Sequence, residues 1–576
     1  MTHLRIAALL LAVGMSACST PPVPPAAGAI QVNQAGFVPG AAKWAAVPPA
    51  GGAAFSVVDV RTGREAYRGV LAAPATWAPA QQAVRMADFS PLTTPGEYRL
   101  QVDGLADSPR FTIAPDAYAA LNAAALKAYY YNRAGIALEP RHAGPWARPA
   151  GHPDTHVLVH ASAAGPGRPE GTVISSPKGW YDAGDYNKYI VNSGITVYTL
   201  LAAYEHFPQF FRAQALNIPE SGNGLPGLLD EALWNLDWML TMQDPADGGV
   251  YHKLTDKGFD GAVMPHQTGG QRYVVMKSTA ATLDFAAVMA QASRVFAAFE
   301  AQRPGLSARM LAAARQAWRW AQEHPAVVYR QPPDIHTGGY DDSHLADEFA
   351  WAAAELYLST RDDAYLAAMK PAEATMGVPG WSDVGALAWI SLAHHRERLT
   401  PAADRALVER RITGQARQLA DAWQASPYRV AMQTGDFVWG SNAVALNQAL
   451  VLVQGYRLTR ERRMLDAAQA ALDYVLGRNP LGLSMVTGIG EHSPMHPHHR
   501  PSMADGVAAP VPGFIVGGPH AGQHDAKDCP VPYASKAPAL SYIDHDCSYA
   551  SNEVAINWNA PLVYVSAALQ VLTDPH

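Results

Sequence analysis

The segment richest in chemical possibilities in this 576-residue chain is an aromatic and acidic run between residues 179 and 189. Asp182 and Asp185 stand three residues apart, and Gly184 between them permits a tight turn and the close approach of a ligand. Two converging carboxylates can hold one water molecule and take its proton as it attacks. The structural alternative is an N-cap and a solvated acid at a helix start, where acids are frequent.

A third acid, Glu553, stands where an apolar helix is predicted to open, with Val554, Ile556 and Trp558 close by in the sequence. Apolar surroundings raise the pKa of a carboxyl group and keep it protonated near neutral pH, as a general acid requires. A capping glutamate at a helix N-terminus would instead have a lowered pKa. The sequence leaves both interpretations open.

The segment 496–501 adds two polar side chains to this set. His498 can donate or accept a hydrogen bond, and Arg500 offers a planar fork of donors, so both could orient a carboxylate or hold sugar hydroxyls. A histidine-rich metal site is the alternative. Pro497 breaks the spacing of helical ligands and no CxxC pair accompanies it, which disfavours zinc.

The elements that must position these groups fall into two regions. Residues 29–114 contain short alternating segments with turn signals, which predict a small β-sandwich. Helical periodicity takes over from residue 115, and about a dozen helices without a fixed-length repeat fit helix hairpins closed into a barrel. The predicted helical segments are 116–133, 190–206, 226–243, 277–301, 305–323, 345–360, 383–396, 401–425, 441–459, 462–477 and 553–572. Long loops at 141–180, 244–275 and 480–552 carry or adjoin the motifs, as functional loops on a helical scaffold do.

The first residues have the pattern of an export leader. Arg5 precedes a short apolar stretch, and small residues lead to Cys18, as in a bacterial lipoprotein signal over 1–18 followed by a Pro/Ala-rich tether over 19–28. We expect an exported chain that is anchored to a bacterial membrane by a lipid at Cys18. The outer membrane, on its periplasmic or cell-surface side, is the expected location. The alternative is ordinary cleavage of the leader and secretion. In an exported chain, Cys529 and Cys547 could form a disulfide or remain two buried thiols.

The net charge and the aromatic content indicate which kinds of binding partner to expect. The net charge is -7 and no long Lys/Arg run occurs, so a nucleic-acid partner is not expected. Fourteen Trp and 24 Tyr provide flat faces that suit sugar rings, although most aromatic side chains serve packing. A monomer is expected.

Taken together, the motifs resemble glycoside hydrolase family 9, the inverting cellulases. The C-terminal signature matches at Tyr542, Asp544, Tyr549, Glu553, Ala555, Asn559 and Ala560, and a second signature matches at Ser484, Val486, Thr487, Gly490, Pro497, His498 and Arg500, with a departure at His492. Segments 30–37 and 87–90 resemble the Ig-like domain of one bacterial branch. The resemblance implies a multidomain chain, with a small all-β Ig-like sandwich at 29–114 followed by an all-α (α/α)6-barrel catalytic domain at 115–576.

The resemblance also assigns roles. Asp185 corresponds to the general base, Asp182 to a residue that helps hold the same water, and Glu553 to the general acid. The positions that line the sugar sites correspond to His498, Arg500, Tyr549 and Trp439, with core packing as the alternative for Trp439. An inverting mechanism further implies carboxyl groups about 6.5–9.5 Å apart.

Two metal sites of the family bear on this chain. The segment 339–348 resembles a structural calcium site whose oxygen ligands would come from Ser343 and His344 main chains, Asp347, Glu348 and Asp383, with an acidic helix start as the alternative. The Ig-bearing branch often also has a zinc bound by two Cys and two His. Gly151 stands here where a Cys would precede His152, and residues 19–528 contain no Cys, so no thiolate zinc site is expected.

Three functions remain in competition. The first is an endo-β-1,4-glucanase that cleaves cellulose, mixed-linkage glucan or xyloglucan. The second is an exo-acting glucosidase, cellobiohydrolase or glucosaminidase on short oligosaccharides. The third is a non-catalytic sugar-binding lipoprotein, which the intact trio of Asp182, Asp185 and Glu553 disfavours.

Overall fold

Seven short strands build the N-terminal domain in the computed structural model, which describes residues 28–573. They are β1 Trp44–Val47, β2 Ala54–Asp59, β3 Glu65–Val70, β4 Ala75–Trp77, β5 Gln82–Asp88, β6 Gly96–Val102 and β7 Phe111–Ile113. One sheet has the order β1-β5-β4 and the other β3-β2-β6-β7, and all pairs are antiparallel. Alternate residues of β6 point inward, so Tyr98, Leu100 and Val102 join the sandwich core.

The rest of the described chain is mainly helical. The helices are α1 Ala119–Tyr131, α2 Pro140–Ala143, α3 Ile190–His206, α4 Pro208–Ala213, α5 Gly227–Thr241, α6 Thr279–Phe296, α7 Leu306–Glu323, α8 Ala346–Thr360, α9 Asp363–Ala368, α10 Gly385–His394, α11 Arg405–Ala425, α12 Ser441–Thr459, α13 Arg462–Val475, α14 Arg500–Ala504 and α15 Ile556–Leu572. A small sheet adds β8 Val157–Val159, β9 Val173–Ile174, β10 Lys188–Tyr189, β11 Lys253–Thr255 and β12 Tyr273–Val274.

Six helices form a closed inner ring. Within residues 28–573, α3, α6, α8, α10, α12 and α15 pack in that order, and α15 returns to α3. The outer layer consists of α1, α5, α7, α9, α11 and α13, each against an inner neighbour. Inner helices such as α6 are buried on almost every side, whereas the outer α7 buries one stripe and exposes its polar residues. The predicted β-sandwich followed by an (α/α)6 barrel is therefore confirmed.

The two domains share a tight interface. The Asn33 side chain donates to Asp473 on α13 at 2.9 Å, and Trp77 stacks on Tyr428 with ring centroids 4.7 Å apart. The barrel thus packs against the sandwich on the side of α13. The predicted leader at 1–18 and most of the tether at 19–28 lie outside the described residues. Between residues 28 and 573, no helix combines the length and apolar character needed to cross a bilayer.

Candidate active site

Asp182 and Asp185 lie in a buried loop that leads into β10, and α3 begins only at Ile190. The N-cap interpretation of this pair is therefore wrong. The loop is fixed by its own backbone, since the Asp182 N–H donates to the Asn187 carbonyl at 3.0 Å. The Ile556 N–H, at the start of α15, donates to the Asp182 carbonyl at 2.8 Å. The loop is thereby held between two inner helices of the barrel.

The Asp182 carboxyl is 1% exposed, and each of its oxygens accepts one hydrogen bond. Asn192 donates to Oδ1 at 2.6 Å, and the Tyr340 hydroxyl donates to Oδ2 at 2.7 Å. Burial and the negative charge of Asp185 together raise the pKa of Asp182 to about 8, although the two hydrogen bonds oppose the rise. The site thus holds a proton beside Asp185 at neutral pH.

Asp185 is held by its own loop. The hydrogen bonds that it accepts from described residues all reach Oδ2, from the Asn187 side chain, the Asn187 N–H at 3.4 Å and the Tyr189 hydroxyl at 3.4 Å. Oδ1 is left for a group that is not part of the protein, such as a water molecule. One engaged and one available oxygen is the arrangement that a general base needs.

Glu553 lies before α15, not in it. The helix starts at Ile556, and Glu553 occupies an extended segment that pairs with His498 on one side and, through Val554, with Val516 on the other. The prediction that Glu553 is the first residue of the helix is wrong, and so is the interpretation of Glu553 as a capping residue. Burial, followed by the charge of Asp185, raises the pKa of Glu553 well above its usual range, and Arg500 only partly offsets this.

Gly184 joins the two acidic segments. Its N–H faces Glu553 Oε1 at 3.4 Å, and its carbonyl accepts from the Arg500 N–H at 3.1 Å and Nη1 at 2.9 Å. A Cβ at this position would lie 2.2 Å from the His498 carbonyl oxygen, so no side chain fits. The predicted motifs around 182–185, 498–500 and 553 therefore converge on one place.

The predicted sugar-site residues border this place. His498 Nδ1 lies 2.5 Å from the Asp546 carbonyl, which orients the ring, and burial lowers the pKa of His498. The Tyr549 ring lies 6.3 Å from His498 and 5.6 Å from Trp439. Trp439 is 41% exposed, which does not fit core packing. These three side chains, with Arg500, give the carboxylates an aromatic and polar border.

A disulfide stabilises the same aromatic and polar border of the site. Cys529 and Cys547 are bonded, with Cα atoms 5.0 Å apart. Asp525, four residues before the first cysteine, accepts from the Ser548 hydroxyl at 2.8 Å and the Ala550 N–H at 2.9 Å. The bridge and these bonds hold the segment that carries Tyr549.

A second group of acids, here called the acidic cluster, lies at the start of α8. Its members are Asp284, Asp342, Asp347, Glu348 and Asp383. Both oxygens of Asp284 and of Glu348 are buried without a hydrogen-bond partner, and so is Asp342 Oδ2. Burial and mutual repulsion raise the pKa of Glu348 to about 11 and that of Asp284 well above its usual range. Such a set of hard oxygen donors fits a divalent cation.

The predicted calcium ligands map onto this cluster in part. Asp347, Glu348 and Asp383 belong to it, and Ser343 and His344 lie in the adjoining loop, where the His344 side chain is 90% exposed. Asp347 Oδ2 accepts from the Val384 N–H at 2.8 Å. Asp342 stands in the predicted segment 339–348 but was not among the predicted ligands. The sequence did not point to Asp284, because it comes from α6, far away in the chain.

His152 lies in another polar group near the site. Its ring nitrogens bond the Tyr181 hydroxyl at 2.9 Å and the Thr268 hydroxyl at 2.7 Å, and Asp256 and Asp260 lie within reach of them. Asp256 is also paired with Arg272 at 2.9 Å. The group is thus built as a hydrogen-bonded and ion-paired network.

Sequence reasoning missed Asn187, Asn192 and Tyr340, which hold the two aspartates. Asn187 and Asn192 follow the acidic run closely and could have been suspected as its hydrogen-bond donors. Tyr340 is 158 residues away, and only its place in the glycine-rich segment before α8 could have drawn attention to it.

Comparison with known proteins agrees with this geometry. The family model described as glycosyl hydrolase family 9 matches residues 118–566, and that of the cellulase N-terminal Ig-like domain matches residues 26–107. A xyloglucan-specific endo-beta-1,4-glucanase of Bacteroides ovatus is 45% identical over 94% of each chain. Endoglucanase D of Acetivibrio thermocellus is 32% identical, covering 95% of this chain and 84% of that protein.

Solved structures give the same answer. A Bacteroides ovatus GH9 structure superposes with a TM-score of 0.89 at 44% identity, covering 95% of this chain and 99% of that one. A metagenome-derived glycoside hydrolase family 9 endoglucanase gives a TM-score of 0.86 at 36% identity, over 94% and 99% of the two chains. With its helical domain, its Ig-like domain and the convergence of Asp182, Asp185 and Glu553, the chain belongs to glycosyl hydrolase family 9.

Proposed function

We propose that this chain is an endo-acting β-1,4-glucanase that hydrolyses glucan chains with inversion, and that Asp185 and Glu553 are its base and acid. One observation carries the assignment of roles. Burial raises the pKa of Glu553, and this side chain contacts the N–H of Gly184 in the loop that carries Asp185. Asp185 Oδ1 is open to a water molecule. Glu553 is thus suited to stay protonated as the acid. Asp185 has an oxygen available to take a proton from water as the base.

The proposed reaction is a single displacement. Glu553 protonates the departing glycosidic oxygen while Asp185 takes a proton from water on the opposite face of the sugar ring. Asp182, fixed by Asn192 and Tyr340, holds the same water in line. The bond from the anomeric carbon to the leaving oxygen breaks as the bond to water oxygen forms, so the anomeric configuration inverts.

Xyloglucan is the first substrate to test. Its support is the 45% identical Bacteroides ovatus relative, which is xyloglucan-specific, while Endoglucanase D of Acetivibrio thermocellus is named without that restriction. His498, Arg500, Tyr549 and Trp439 are proposed to hold the sugars next to the scissile bond. The endo-acting mode is proposed from the relatives that are named endoglucanases.

The test is a panel of xyloglucan, mixed-linkage β-glucan, soluble cellulose derivatives and chito-oligosaccharides. We expect viscosity to fall early relative to the release of reducing ends, and proton NMR to show the α-anomer first. Release of single short sugars without an early fall in viscosity would support the exo-acting alternative. First appearance of the β-anomer would contradict inversion.

We also propose a structural calcium ion in the acidic cluster. The support is the set of buried carboxylate oxygens of Asp284 and Glu348 that lack a partner. A bound cation would neutralise these charges and stabilise the start of α8. Because Tyr340 lies in the loop that enters this helix, the ion would also steady the hydrogen bond to Asp182.

Export and lipid anchoring at Cys18 are proposed from the sequence alone. A Cys18→Ser variant should lose membrane association and remain in the soluble fraction of the host envelope or medium. If wild type and variant fractionate alike, the anchor is wrong. A monomer is proposed on the same footing, and light scattering of the purified protein tests it.

A further inference from the structure

Few large apolar side chains are exposed on the described residues. They are Val70, Val173, Phe259, Val438, Trp439 and Val571, so only Phe259 and Trp439 are aromatic. A single exposed apolar residue is normal on a protein surface and needs no explanation. What distinguishes these two is that both adjoin the candidate active site, Trp439 through Tyr549 and Phe259 through Arg500.

The contact with Arg500 places the Phe259 ring. The guanidinium carbon lies 5.6 Å from the ring centroid, and Phe259 remains 52% exposed. One part of the ring therefore covers Arg500 while the rest is open to solvent. Arg500 itself is fixed to the site, because it donates to the Gly184 carbonyl at 2.9 Å and, through Nε, to the Asp260 carbonyl at 2.8 Å.

The loop that carries Phe259 is tied to the general base. At its root, the Asp256 N–H and the Thr255 hydroxyl donate to the Asn187 side-chain oxygen at 3.0 and 2.9 Å. The amide group of Asn187 in turn donates to Asp185. Further along the loop, the Tyr186 hydroxyl donates to the Val263 carbonyl at 2.6 Å. The ring thus projects from a loop whose position is set by the catalytic segment itself.

Space for a ligand lies beside the ring. A Cβ built on Gly258 or on Gly261 would meet no atom within 4 Å, so the backbone on both sides of Phe259 borders open space. Neither glycine adopts a left-handed backbone, so a turn does not require them. Small residues around a projecting aromatic ring leave room for a flat, extended ligand.

We propose that Phe259 is a sugar-binding platform that stacks against a pyranose ring of the β-glucan chain on the Arg500 side of the catalytic carboxylates. This rests on the proposed glucanase function and extends it by a subsite. Axial C–H groups of a β-linked glucose face the aromatic ring, while the Arg500 guanidinium next to the ring offers polar contacts to the hydroxyls. Trp439, which reaches His498 through Tyr549, would give the glucan chain a second aromatic contact.

The test measures binding in an Asp185→Asn background, which is expected to bind glucan without turning it over. Calorimetry with cellobiose, cellotetraose and cellohexaose should show affinity rising with length. Adding Phe259→Ala should weaken cellohexaose binding by about five- to tenfold, since one stacked ring face is lost. Phe259→Trp should restore it, and Val70→Ala, on the exposed surface of the β-sandwich, should change nothing.

The outcomes separate this inference from the proposed function. If Asp185→Asn binds cellohexaose and Phe259→Ala leaves that affinity unchanged, the platform is wrong while the glucanase function stands. If Phe259→Ala weakens cellobiose and cellohexaose equally with no recovery in Phe259→Trp, the effect is structural and the platform is again wrong. If neither wild type nor Asp185→Asn acts on or binds any β-glucan, both proposals fall.

Discussion

Replacing Asp182 by Asn should make the protein less active and more stable at once. The wild-type carboxyl is buried, and its pKa is raised from 3.8 to about 8. The folded state therefore retains a proton that the unfolded chain releases as the pH rises above about 4. Folding stability then declines between about pH 4 and pH 8, because the unfolded state binds fewer protons there. An amide cannot ionise, so the variant escapes this decline.

The size of the effect follows from the two pKa values. Each pKa unit corresponds to about 1.36 kcal/mol, so the wild-type carboxyl costs roughly 2 kcal/mol at pH 5 and roughly 4 kcal/mol at pH 7. The amide can still accept from Asn192 at the Oδ1 position, and its NH₂ group can donate to the Tyr340 hydroxyl oxygen, which accepts as well as donates. Any change in these two hydrogen bonds affects stability similarly at every pH, so the test rests on the difference between the two pH values, about 2 kcal/mol.

Urea unfolding followed by tryptophan fluorescence at pH 5, 6, 7 and 8 measures it. The free energy of unfolding of Asp182→Asn relative to wild type should rise steadily with pH, while kcat on glucan falls by about 10- to 100-fold. Asp116→Asn, at an exposed position, is the matched control and should show no such rise. A difference between Asp182→Asn and wild type that stays constant from pH 5 to pH 8 would refute the proposed protonation of Asp182.

Three further predictions concern the frame of the site. Gly184→Ala should lower kcat/KM by about 100-fold, because its Cβ would lie 2.2 Å from the His498 carbonyl oxygen; near-normal turnover would show that the loop can yield. A calcium chelator should lower the melting temperature, and adding calcium should restore it. The ion in the acidic cluster would be ruled out if metal analysis found no calcium in the purified protein and the chelator left the melting temperature unchanged. Replacing Cys529 and Cys547 by Ser should lower the free energy of unfolding by about 3 kcal/mol, because the disulfide joins residues 18 apart in the chain. A titration that finds two free thiols in the native protein would contradict the disulfide.

The fold was largely predictable because its signals are local. All eleven predicted helical segments overlap helices closely, as at 190–206 and 441–459, since buried helices carry long apolar runs. The outer helix α9, at Asp363–Ala368, was missed because six residues give too short a periodic signal. The five-stranded sheet formed by β8–β12 was missed for a different reason: its strands have two or three residues and pair over long distances in the chain.

The site was predictable where the family motifs reach and not beyond them. Asp182, Asp185 and Glu553 stand in recognisable segments, but the interpretation of Glu553 as the first residue of a helix was wrong by three residues, which matters because a helix end would lower its pKa. Contacts such as Tyr340 with Asp182 and Phe259 with Arg500 join distant parts of the chain. They depend on how the barrel closes, which local patterns do not contain.

The central claim, that Glu553 is the acid and Asp185 the base, is tested most directly by comparing two leaving groups. A natural glucan needs protonation of its leaving oxygen, whereas 2,4-dinitrophenyl cellobioside departs without it. Glu553→Gln should therefore lose about 1,000-fold in kcat on glucan and stay within about tenfold of wild type on the activated substrate. Asp185→Asn should lose activity on both, because attack by water still needs the base. Equal losses for Glu553→Gln on the two substrates, or an Asp185→Asn variant that remains active on either, would contradict the assignment.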